Sequence, residues 1–176
     1  IVLAYKPDGF FTAYEWIRHM MATEKADYFT AHDPDAFKAM MGLENYLHSC
    51  GLEAALIHIV KLRCSQMNGC AYCVDMHWKD ARAAGESEEK LSWLIVWREA
   101  PIFSDRERAA LGWAEALTDI HRAHESDAAV EAARAVFNDK ELTDLTWTIA
   151  AINAWNRLGV GFRGEPGHYR PAKAAG

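Results

Sequence analysis

An all-α fold follows from three features of this sequence. Apolar residues recur at helical offsets from Asp35 onward, no segment shows the alternation of a half-buried strand, and glycines stand where helical runs stop. With 176 residues, 51% of them hydrophobic, the chain can bury one core, and no linker or internal repeat divides it.

The helices read in order. Phe37, Met40, Met41 and Leu47 mark the first, interrupted by "CGLE" at Cys50 to Glu53. Leu52, Leu56, Ile59 and Leu62 or Arg63 carry a second toward "QMNG". A third runs from Cys70 to Ala84 and stops at Gly85, a residue favoured just past a helix end. A short one spans Glu88 to Trp97. Ser104 with Glu107 forms a capping-box signature, opening a helix on which Ala110, Trp113, Ala114, Leu117 and Ile120 share a face. Val130, Ala133 and Phe137 mark another, and Leu142, Leu145, Ile149 and Ile152 a last long one closed by Gly159. The tail "GVGFRGEPGHYRPAKAAG" reads as an irregular arm. One helical domain is expected over residues 26–170. Residues 1–25 read as an extension, either upstream sequence or an appended segment with Met20 or Met21 as the natural start, and 171–176 as a tail.

A net charge of −6 with scattered basic residues gives no footprint for nucleic acid. The apolar stretches are broken by charge well short of the roughly 20 residues a membrane span needs. No secretory signal pattern is visible, so a cytoplasmic location is expected. Four cysteines in a chain this long do not suggest a disulfide scaffold, which makes their spacing the informative feature.

That spacing is concentrated in "NGCAYCVDMHWKDARAAG". On a helix Cys70, Cys73 and His77 share one stripe. If Asn68 and Gly69 break the chain, Cys70 enters the first turn, where unpaired N–H groups and the helix dipole favour a thiolate. Cys73, one turn from His77, can pass its proton to the imidazole and attack an oxidant; Cys70 then closes a disulfide with it. Zinc held by Cys64, Cys70, Cys73 and His77 is the competing reading, although three of those ligands lie along one helix. A merely structural pair is the third. Cys50 and Cys64 read as small buried hydrophobes, Tyr72 as a half-buried aromatic, Trp78 as a core or subunit-contact residue, and Asp75 and Asp80 as solvated charges.

The stretch "LIHIVKLRCSQMNGCAYCVDMHWKDARAAG", with its phrase "LRxSQxNGCxYCxxxH", resembles the AhpD-like alkylhydroperoxidases of the carboxymuconolactone decarboxylase superfamily. The likeness extends from about Ala26 to Tyr169 and includes "DAFKAMMGLENYLHSCGLE" and "ELTDLTWTIAAINAWNRLGV". The resemblance implies an AhpD-like helical fold with subunits interlocked in a homo-oligomer, a trimer or a hexamer built from trimers. It implies thiol-dependent reduction of alkyl or hydrogen peroxides without flavin, haem or metal cofactor, and a thioredoxin-like or lipoylated protein as reductant. Cys73 takes the place of the family's peroxide-attacking cysteine, Cys70 that of its partner and His77 that of its relay histidine. The family's glutamate twelve residues before the first motif cysteine is here His58. His58 can shuttle a proton but supplies no fixed negative charge, and two adjacent imidazoles cannot both be charged cheaply. Glu44, in an apolar stripe, is either ordinary drift of the helix face or an inward carboxylate that compensates. The alternative functions are a dithiol stress-sensing assembly protein with little or no activity and a zinc-stabilised helical module.

Overall fold

The computed structural model describes residues 32–123 and 127–171. The expectations for 1–25 and for all of the tail except residue 171 lie outside them. The described residues are helical and contain no strand: α1 Pro34–Leu47, α2 Ala54–Asn68, α3 Ala71–Ala83, α4 Glu88–Trp93 with a 3₁₀ turn Leu94–Val96, α5 Asp105–Thr118, α6 Ile120–Ala123, α7 Ala128–Val136 and α8 Asp139–Gly161.

The helix α2 is the centre of the molecule. It packs against α3, α5 and α8, and Leu56, Ile57, Ile59, Val60, Leu62 and Cys64 are all buried along it. A helix apolar around most of its circumference has no stable place except inside. α8 is the second axis, touching α1, α2, α3 and α5, with Leu145, Ile149, Ile152 and Trp155 turned inward. No helix of the described residues is long and apolar enough to cross a membrane.

Local chemistry fixes the ends. Ser104 and Glu107 form the expected capping box on α5, and Asn138 with Glu141 forms a second on α8 that the hydrophobic pattern did not reveal. Two expectations are corrected. Ile120 does not continue α5: the helix ends at Thr118 and Ile120 opens α6, 54% exposed. α8 does not close at Gly159 but continues to Gly161, because a glycine inside a long packed helix costs only about 1 kcal/mol.

Glu44 of α1 points inward, at 6% exposure. Its Oε2 accepts from Lys61 Nζ at 2.5 Å and its Oε1 from Trp155 Nε1 at 2.9 Å. This buried pair ties α1, α2 and α8 together. Burial alone would raise the Glu44 carboxyl, but the Lys61 ammonium, helped by the hydrogen bonds, holds it below the ordinary carboxylate value. A group depressed in the folded state stabilises above its unfolded pKa and loses that contribution as pH falls through the folded value.

Lys61→Met leaves the carboxylate buried without its cation and is expected to cost about 3–5 kcal/mol near neutral pH. With burial then the dominant influence, Glu44 titrates upward, so the deficit relative to the unsubstituted protein shrinks on acidification. Urea unfolding at a series of pH values checks this; a deficit that stays constant or grows contradicts it.

Candidate functional site

The site begins at the joint between α2 and α3. Gly69 caps α2 in the left-handed conformation, φ 67°, where a side chain would be strained. Its N–H donates to Gln66 O at 3.3 Å and that of Cys70 to Ser65 O at 3.1 Å, the two bonds of a Schellman ending. Asn68 Nδ2 donates to Asn153 Oδ1 and Asn156 Oδ1, both at 2.9 Å, and Asn156 Nδ2 to Ser65 Oγ at 3.0 Å. Arg63 Nε donates to Glu115 Oε1 at 2.7 Å. The Arg, Ser, Asn and Gly of the motif thus hold the joint against α5 and α8 rather than touching any reacting atom.

The chain then turns directly into α3 with Cys70 as its N-cap, one residue earlier than a first-turn position. Its Sγ accepts from Cys73 N at 3.4 Å. Cys70 and Cys73 are joined by a disulfide, Cα–Cα 5.4 Å, and are 1% and 3% exposed. α8 covers them. A Cβ placed on Gly159 would lie 2.7 Å from Cys70 Sγ and 3.4 Å from Cys73 Sγ, so the absence of a side chain at 159 is what lets the helix approach the sulfurs. Five residues further, just past the end of α8, Gly164 lies against Tyr72.

His77 is buried one turn beyond Cys73, and His58 of α2 lies beside it, ring centroids 6.0 Å apart. Burial, with help from the Lys61 charge, pushes His58 down to about 3 and His77 well below its ordinary value. Both imidazoles are therefore neutral at physiological pH, which goes further than the expectation that at least one would be. The Nδ1 atoms of both rings are buried with no hydrogen-bond partner.

The carboxylate next to His77 is Asp80, Oδ2 to Nδ1 3.8 Å, too long for a hydrogen bond. Glu44 is inward but engaged with Lys61 and Trp155, so the compensation sought in it is not where the structure puts a carboxylate. Asp80 is not a solvated charge either. Its Oδ1 accepts from Tyr169 OH at 2.6 Å, and burial raises its carboxyl to about 6 against the lowering effect of that bond. Asp75 accepts from Lys79 Nζ at 2.7 Å and from Gly167 N at 3.0 Å. These bonds strap the C-terminal arm to α3, with Tyr169 itself buried.

The zinc set is not assembled. Cys64 is fully buried on α2, its thiol pushed up to about 12 by burial, and the two motif cysteines are bonded to each other. Among the described residues the group of three side chains with metal-binding atoms in mutual reach is His58, His77 and Asp80. Cys50 is half-buried and outside the disulfide, and Trp78 is 38% exposed, so it does not belong to the core of the chain.

The carboxymuconolactone decarboxylase family model matches residues 34–116. A crystal structure of a protein of unknown function from Agrobacterium tumefaciens, proposed as an antioxidant defence protein AhpD, is 49% identical. It covers 79% of this chain and 95% of its own, with a TM-score of 0.76. The chain belongs to this family, in its AhpD-like part. The uncharacterized protein YdfG of Bacillus subtilis (strain 168) is 36% identical over 127 residues, 72% of this chain and 86% of its own. The debrominase Bmp8, 19% identical with a TM-score of 0.71 over 78% of this chain and 74% of its own, shares the fold. In this AhpD-like chain the His58 imidazole lies beside His77.

Gly159→Ala is expected to force α8 off the sulfurs, lowering stability by about 1–3 kcal/mol. The loss should be larger with the disulfide formed than with Cys70 and Cys73 both replaced by Ala, which removes the sulfur the new methyl group meets. Thermal melts of the four combinations measure it.

Proposed function

We propose that this AhpD-like chain is a thiol-dependent peroxidase for alkyl or hydrogen peroxides. The observation that carries the reading is the Cys70–Cys73 disulfide at the start of α3, one turn from a neutral, buried His77. It is the product state of a two-thiol cycle.

In the reduced enzyme His77 accepts the proton of Cys73, and the thiolate attacks the terminal oxygen of the hydroperoxide. The O–O bond breaks, a sulfenic acid forms on Cys73, and the alkoxide leaves as alcohol with the proton from His77. Cys70 then attacks the Cys73 sulfur. Hydroxide departs as water with the Cys70 proton, and the disulfide closes. The sum is one peroxide and two thiols consumed, one alcohol, one water and one disulfide produced. His77 is neutral and so has a lone pair for the proton, while the burial that lowers its basicity makes the transfer depend on the Cys73 thiolate, whose negative charge stabilises the imidazolium formed beside it. His58 stands where a second proton carrier would be needed, as the family glutamate would.

A thioredoxin-like or lipoylated dithiol partner would return the two electrons. With both sulfurs under α8, its attack requires that helix end to move. Large apolar side chains remain on the surface, Ile95 at 63%, Val96 at 52%, Trp147 at 52% and Ile120 at 54% exposure. Exposed apolar area of this kind supports burial between subunits, and a trimer or hexamer is the assembly we infer.

Cys73→Ser should abolish peroxide consumption while leaving the helical circular dichroism unchanged. His77→Gln should slow it by about 10²–10⁴-fold. Undiminished turnover in the serine variant would refute the peroxidase reading. Light scattering should return a mass that is three or six times the 19.8 kDa of the chain.

A further inference from the structure

We propose that His58, His77 and Asp80 form a binding site for a divalent transition-metal ion of the zinc class. One ligand atom from each of the three lies within 4.8 Å of the others. The set comes from two helices: His58 from α2, His77 and Asp80 one turn apart on α3. Two imidazoles and one carboxylate are a donor set suited to zinc and its neighbours, with remaining positions left to water.

Two further observations point to a ligand here. His77 is 5% exposed, yet its Nδ1 has no hydrogen-bond partner, and the same holds for the buried Nδ1 of His58. Buried polar atoms in native proteins are nearly always satisfied, so unpartnered ring nitrogens on two neighbouring histidines, with the Asp80 carboxylate beside His77, call for a partner. Second, Asp80 is already oriented. Tyr169 OH donates to Oδ1 at 2.6 Å, while Oδ2 faces His77 at 3.8 Å, the division of labour by which an outer hydrogen bond aims a ligating carboxylate.

Lys61 is the opposing charge. Its ammonium is bound to the Glu44 carboxylate, which offsets part of the repulsion it would exert on a metal ion. Zinc–ligand bonds of about 2.0–2.2 Å put tetrahedral ligand atoms about 3.4 Å apart, so atoms now within 4.8 Å of one another close by up to about 1.4 Å when the ion binds.

The site stands independently of the peroxidase reading, but the two compete for one side chain. A metal on His77 would take the lone pair that accepts the Cys73 proton, so metal would silence the dithiol.

Cobalt(II) titration of the oxidised full-length protein tests the proposal without any peroxide. One equivalent per chain is expected, with visible bands of nitrogen and oxygen ligation and no near-ultraviolet thiolate charge transfer. Competition with zinc should displace it. Tyr169→Phe should weaken binding by about 10- to 100-fold, and His58→Gln and Asp80→Asn should each weaken it at least as much, with thermal melts confirming a folded protein. No stoichiometric uptake by the unsubstituted oxidised protein overturns the site. So do a thiolate band or unchanged affinity in folded His58→Gln and Asp80→Asn. Failure of peroxidase activity alone leaves the expected cobalt result as it is.

Discussion

The close contact of α8 with the sulfurs at the head of α3 is the constraint on which the rest of the site depends. α2 must end, the chain must reverse, and a new helix must begin at once while both stay packed on α8. Gly69 permits the reversal by adopting a left-handed backbone, and Gly159 permits the approach by having no Cβ to meet Cys70. Between them, Asn68, Asn153, Asn156 and Ser65 satisfy the polar groups of the joint, so none is stranded in a tightly packed region. The cysteines are then held one helical turn apart at the positive end of α3.

A second organising element is electrostatic. Lys61 is buried on the central helix α2, which is tolerable because Glu44 meets it and Trp155 completes the carboxylate's hydrogen bonding. The same ammonium acts on His48, His58, His77 and Asp80. It adds to burial in disfavouring the charged form of His77 and of His58 beside it, so both rings are weaker bases than solvent-exposed histidines.

Much of the site was legible in the sequence. The i, i+3, i+7 stripe of Cys70, Cys73 and His77 needs only a helix, and the Asn-Gly break before it marks where the helix starts. His58 stood out through its departure from the family pattern, and α2 and α3 do bring it to His77. Asp80 and Tyr169 were not legible. An aspartate on a helix face looks solvated until a distant segment covers it, and the glycine- and proline-rich arm gave no sign that Tyr169 would dock 89 positions away. Glu44 presented two readings, and the partner that decided between them, Lys61, lies in another helix.

What the sequence by itself determined is local: the helical periodicity, the capping at Ser104, the turn at Asn68–Gly69, and three reactive side chains on one edge of α3. These depend on interactions within a turn or two of the chain, where spacing is geometry. Tertiary structure alone decided which buried charges are compensated, which glycine faces the sulfurs, and which carboxylate stands beside His77. Those outcomes depend on how α2, α3, α8 and the arm meet, and a contact between distant segments leaves no periodic trace in either one.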